Sequence, residues 1–150
     1  MNERWNPWAT LASLPDLLVG YRHLPTRIGG GIAGHSTRTG RPVVALAKGL
    51  TQVERNAALA HELIHHERGL QAHTPGMPAT WAPRRAADET AVRREVARRL
   101  VPVTELAAFA DELACAGEGV SPWQVADHFD VPWHVAATAL DELTRWERGQ

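Results

Sequence analysis

The chain has 150 residues, 44% of them apolar and 22% charged, with a net charge of −1 and a single cysteine, Cys115. One domain with a real core is the expectation, because a chain of this size buries roughly 70% of the surface its unfolded form exposes. The near-neutral balance supplies no global field for nucleic acid. One cysteine excludes both a disulfide framework and a cysteine-only zinc site, and no apolar run reaches the roughly 18 residues of a membrane span.

The N-terminal "MNERWNPW" lacks the basic-then-apolar pattern of a signal peptide, and the expected location is cytoplasmic. "NPWATLASLPDLLVGYRHL" reads as a short helix or two, interrupted at Pro15. "TRIGGGIAGHSTRTGRPVVALAKGL" suits strands and turns instead. Val43–Leu46 is the best strand in it, with "HSTRTGRP" as a hairpin connection. The glycine triplet Gly29–Gly31 lacks the lysine of a phosphate loop and the spacing of a dinucleotide site. It reads as a flexible or bulged strand.

A helix then begins at "TQVE". Thr51 can accept from the third helical N–H and Glu54 can reach back to the cap, a capping box. The helix should run to Arg68 and stop at Gly69. "QAHTPGMPATWAP" reads as a loop. A second helix is expected from about Arg84 to Val101, ending before Pro102. The remainder reads as helices. One is capped by Ser121 with Pro122 in its first position, and the last covers about Pro132 to Trp146.

The first long helix carries "ALAHELIHHERG", which contains His-Glu-x-x-His. His61 and His65 lie one turn apart and about 40° apart around the axis, so both imidazoles can address one ion. Glu62 follows at about 100° and can border that ion without binding it. Zinc acidifies a bound water, and a neighbouring carboxylate can take its proton. Val53, Ala57, Ala60 and Ile64 form a separate apolar stripe. Ala58 sits on the histidine face, a small residue expected to leave room for an ion and a substrate. The rival is a surface helix that happens to bear histidines. His66 points away from the pair and reads as a surface or supporting residue.

A catalytic zinc site needs a third protein ligand and an open position. "DETAVRREVARRLVP" offers Asp88, Glu89 and Glu95. Glu89 shares its helical phase with Val92, Val96 and Leu100, the buried stripe, whereas Asp88 and Glu95 share a polar face. A carboxylate on a buried stripe needs a partner, which a metal would be. A salt bridge to Arg93 is the competing explanation, and Asp88, Glu95 and His73 remain alternative ligands. The paired arginines Arg93/Arg94 and Arg98/Arg99 read as a solvated face partly neutralised by Glu95.

"TQVERNAALAHELIHHERG", followed downstream by "ETAVRREVARRLVP", resembles the ImmA/IrrE family of metallo-endopeptidases, over about Ile28 to Leu143. The resemblance implies an α+β, zincin-like fold with a small N-terminal β-sheet, an active-site helix and a helical C-terminal half. It implies an N-terminal helical segment over 1–27, a catalytic core over 28–102 and a helix-turn-helix-like module over 103–150 packed on that core. It implies one Zn2+ per chain, with His61, His65 and Glu89 as metal ligands and Glu62 as catalytic base. The implied substrate is a protein, a repressor of a mobile element or stress regulon. In the second helix this chain has "VRREVA" where many members have Ala-Asn and then Phe-Ala. The only tyrosine, Tyr21, precedes the motif, so the group that stabilises an oxyanion is left open among His128, His134 and the arginines.

Two rival functions belong to other classes. One is a zinc-stabilised regulator without catalysis, against which Glu62 stands. The other is DNA binding by "SPWQVADHFDVPWHVAATALDEL", which has two helices and a tight turn. Residues 103–150 carry nine acids and two arginines, whereas phosphate anchoring needs cations. A protein-docking or core-forming pair, with Trp123, Trp133 and Trp146 as apolar area, fits better. Finally, the Val43–Leu46 strand directly precedes the histidine helix. It is expected to form the sheet edge nearest the zinc, where an extended substrate could add as a strand.

Overall fold

The computed structural model describes residues 4–24, 30–69 and 82–150. The elements are α1 (Pro7–Ala12), β1 (Leu18–Arg22), β2 (Gly31–His35), β3 (Pro42–Ala47), α2 (Gln52–Glu67), α3 (Ala82–Leu100), α4 (Val103–Cys115), α5 (Pro122–Phe129) and α6 (Trp133–Arg148). Among the described residues they make a small α+β protein with one three-stranded sheet and six helices. No described helix is long and apolar enough to cross a membrane. The chain forms two compact units, Asn6–Val92 and Arg93–Gln150, the latter together with Arg4 and Trp5.

In the first unit, Asn6 starts α1 by accepting from the backbone N–H groups of Trp8 and Ala9, with Pro7 in the first helical position. The Trp8 indole N–H donates to Asn56 Oδ1 at 2.6 Å, which ties α1 to α2. The sheet order is β1-β3-β2, with β1 parallel and β2 antiparallel to β3. Two expectations are corrected here. Leu18–Arg22, read above as helix, is a strand. Its local sequence is ambiguous, and pairing with β3 over Leu18↔Val43 to Arg22↔Ala47 decides it. The Val43–Leu46 strand is central and not an edge, because both sides of β3 are paired. That accounts for its side chains, since Val44 and Leu46 are wholly buried, as a central strand's inward residues should be.

β2 and β3 form the expected hairpin across His35–Pro42. Its turn is closed by Ser36, whose N–H donates to Arg41 O and whose carbonyl accepts from Gly40 N, both at 2.8 Å. Gly40 takes φ +70°, a conformation that favours glycine.

α2 begins as expected. Thr51 accepts from Glu54 N–H, and the Glu54 carboxylate accepts from Thr51 N–H. A cap of this kind is worth about 1 kcal/mol. The helix ends at Glu67, with Gly69 at φ +63°. Ala57, Ala60 and Ile64 are buried, with Leu59 and Leu63 beside them. α2 thereby lies against β2 and β3.

In the second unit, α5 is capped by Ser121, which accepts from Gln124 N–H while Gln124 Oε1 accepts from Ser121 N–H. α5 ends at Asp130, which has φ +54° and turns the chain into α6. Val125, Val131 and Val135 are buried and form the contact between the two helices, with Ala136, Ala139 and Leu143 continuing the apolar stripe along α6.

One buried charge holds this unit. The Glu142 side chain on α6 is 10% exposed and accepts from Arg94 Nε at 2.6 Å and Arg98 Nε at 2.8 Å, both on α3. Arg145 Nη1 is 3.3 Å away on its own helix. Burial would raise the Glu142 pKa, but the hydrogen bonds and charges of Arg94 and Arg98 outweigh it and the net shift is downward. A depressed carboxylate stabilises the fold above the ordinary carboxylate range and loses that contribution as pH falls through the folded-state value. Glu142→Gln should therefore lower stability at pH 7 by about 2 kcal/mol, since it leaves half-exposed arginines short of their counter-charge. The gap to wild type should close below about pH 4. Urea unfolding at pH 7 and pH 3 checks this, and a pH-independent difference would contradict it.

Candidate metal centre

The histidine pair and the acid are brought together from two helices of the first unit. His61 and His65 project from one face of α2, their Nε2 atoms 3.1 Å apart. Glu89, in the second turn of α3, reaches both: Oε2 is 3.1 Å from His61 Nε2 and Oε1 is 2.9 Å from His65 Nε2. Of the stripe read through Glu89, Val92 and Val96 are buried, whereas Leu100 is half-buried and the Glu89 side chain is 41% exposed. Glu95 is elsewhere, occupied by Arg99 at 2.8 Å and Arg98 at 3.4 Å. His66 is exposed, and Asp88 acts on His65 only through its charge. His73 lies outside the described residues.

These three side chains can hold a metal ion. A tetrahedral ion about 2.0–2.1 Å from each ligand atom would set those atoms about 3.3 Å apart. The observed Nε2–Nε2 distance of 3.1 Å is close to that, and the Glu89 carboxylate turns one oxygen to each ring, at 3.1 and 2.9 Å. Hydrogen bonding alone satisfies this arrangement only when both rings are protonated at Nε2, each N–H aimed at its own Glu89 oxygen. A cation lets all three groups present lone pairs to one point. The donor set of two imidazoles and a carboxylate suits zinc. Exposure rises across the cluster, from 11% for His65 through 25% for His61 to 41% for Glu89. One side is therefore open to solvent.

The electrostatics are those of a tight group of opposite charges. Hydrogen bonds from His61 and His65 hold the Glu89 carboxyl far below the usual carboxylate range, against the effect of burial. Burial pulls the His65 imidazole down, but the hydrogen bond and charge of Glu89, with the charges of Glu62 and Asp88, reverse this and leave it raised. His65 Nδ1 is buried with no hydrogen-bond partner among the described residues.

Glu62 is buried between α2 and β2. Burial pushes its carboxyl up, opposed by the charges of His61 and His65 and reinforced by Glu89, so it lies close to all three. Its carboxylate accepts from the Ala33 backbone N–H. Ala47 N donates to Gly30 O at 2.8 Å, so alternation along the β2–β3 ladder turns the N–H and C=O of Gly31 and Ala33 away from β3. Those groups line the outer edge of β2, and Glu62 sits there.

Two glycines make this approach possible, and the sequence reading missed their role. A Cβ on Gly31 would lie 3.0 Å from Glu62 Cγ and 3.3 Å from Leu46 Cδ2. A Cβ on Gly30 would lie 2.7 Å from Ala58 Cβ. The space above Ala58 is thus taken by the backbone of Gly30, just before β2, and not left open for a ligand. Glycine in a strand also marks close backbone approach, which was the available signal. Among the other candidates, His128 lies in the second unit, stacked on Phe109 at 4.0 Å between ring centroids. Comparison with family models, curated proteins and solved structures found no match.

Zinc analysis of dialysed protein tests the group. Wild type should bind one zinc per chain, His61→Ala, His65→Ala and Glu89→Ala should each lose most of it, and His66→Ala should keep it. Full occupancy in His61→Ala would sink the assignment.

Proposed function

We propose that the protein is a zinc-dependent endopeptidase. The observation that carries the reading is the convergence of His61, His65 and Glu89 on one point, with Glu62 beside them and outside the ligand triangle. A site built only to hold a metal has no use for a fourth, buried carboxylate at that position, since burying it is costly. Hydrolysis does have a use for it. When bound, zinc supplies Lewis acidity to the scissile carbonyl and to an attacking water.

The chain's own residues do the rest. Glu62 takes the water's proton and returns it to the leaving amine, the two halves of general acid–base catalysis. The backbone hydrogen bond from Ala33 favours the carboxylate's ionised form. Two helices hold the ligands, so the base and the metal-binding atoms are set before substrate arrives.

The substrate side of the reading moves from β3 to β2. β2 is the sheet's terminal strand on the Glu62 side. Its outward backbone groups other than the Ala33 N–H, which Glu62 takes, are the ones an extended segment would pair with. The resemblance in the sequence points to a repressor as the cleaved protein, and strand addition requires the cut segment to be exposed or locally unfolded.

Glu62→Gln should keep its zinc and its fold but cleave a verified protein substrate about 10²–10⁴-fold more slowly. Cleavage at the wild-type rate with zinc retained would refute the mechanism. Proline placed in the substrate next to the cut should block cleavage by removing a ladder donor. Cleavage indifferent to proline at every flanking position would refute docking along β2 while leaving the metal chemistry standing.

A further inference from the structure

The metal group makes no use of the α5–α6 hairpin, yet the hairpin presents the most exposed large aromatic surface described. Trp123 and Trp133 are 69% and 47% exposed. They occupy the second position of α5 and the first of α6. The left-handed turn at Asp130 brings the two indoles together, with ring centroids 6.1 Å apart and planes at 50°. Side chains of this size are among the costliest to leave in water, so a paired, exposed placement points to a partner.

The charge around them says what kind. Val101–Thr144 contains eight carboxylates and no lysine or arginine. Glu105 and Glu142 are met by arginines from outside that stretch. The other six are Asp111, Glu112, Glu118, Asp127, Asp130 and Asp141. All six are exposed, and none makes an ion pair among the described residues. Asp127 lies one turn beyond Trp123 and shares its face of α5. An indole face attracts cations, and guanidinium, being planar and weakly hydrated, stacks on it better than ammonium does.

We infer that Trp123 and Trp133 dock an arginine-rich segment of a partner protein, with guanidinium groups against the indoles and further cations met by Asp127 and Asp130. Nucleic acid fits this surface poorly, since its phosphates would meet Asp127 and Asp130 beside the indoles. The inference stands apart from the zinc reading, and neither depends on the other.

The test is fluorescence anisotropy of a short labelled peptide alternating Arg and Gly, titrated with the full chain at about 150 mM salt. The same peptide with Glu in place of Arg is the control. Wild type should bind the Arg peptide and not the Glu peptide. The double variant Trp123→Ala/Trp133→Ala should bind about tenfold more weakly while still unfolding cooperatively in urea, because neither ring is buried. Should the double variant unfold, Trp123→Ala alone, at the more exposed ring, should weaken binding about threefold. Three results would each overturn the inference: no binding by wild type, equal binding of the Glu peptide, or folded tryptophan variants that all bind like wild type.

Discussion

Two imidazole nitrogens 3.1 Å apart, each within 3.1 Å of the same carboxylate, have to be reconciled by protons or by a cation. Protons do it only if both rings carry their hydrogen on Nε2, each aimed at its own carboxylate oxygen. A divalent ion would do it with one lone pair from each of the three groups. The stripe of Val92 and Val96 buries one side of α3, and Glu89 is carried inward on the same phase to meet the α2 pair.

Glu62 belongs to the same constraint. It is one residue from His61 and therefore points toward β2 instead of into the triangle. A carboxylate buried there would be expensive without a donor, and Ala33 N–H supplies one because β2 is an edge strand whose alternate amides face outward. The glycines at 30 and 31 let the strand come within contact distance of Ala58 and Glu62. Helix, strand edge and buried carboxylate thus form one piece of local geometry.

Much of this was legible in the residues. The α2 boundaries were written in Thr51, Glu54 and Gly69, and α5 in Ser121 and Pro122, because caps are local chemistry. The choice of Glu89 over Asp88 and Glu95 was legible from helical phase, which fixes direction over a few residues. The strands were less so. Whether Leu18–Arg22 is strand or helix is decided by a partner more than twenty residues away. Whether β3 is central or edge depends on which neighbours find it, which no window of sequence states. The pairing of Arg94 and Arg98 with Glu142 was invisible for the same reason. The arginines were legible as partly neutralised by Glu95 on their own helix, but the carboxylate on α6 lies more than forty residues on.

The central claim is that one metal ion sits between His61, His65 and Glu89. Anomalous diffraction at the zinc edge, on crystals of the zinc-loaded protein, tests it most directly. The account predicts a single strong peak about 2.0–2.1 Å from both Nε2 atoms and from the Glu89 carboxylate, with Glu62 uncoordinated. A peak at other residues, or no peak with the two histidines still hydrogen-bonded to Glu89, would contradict it.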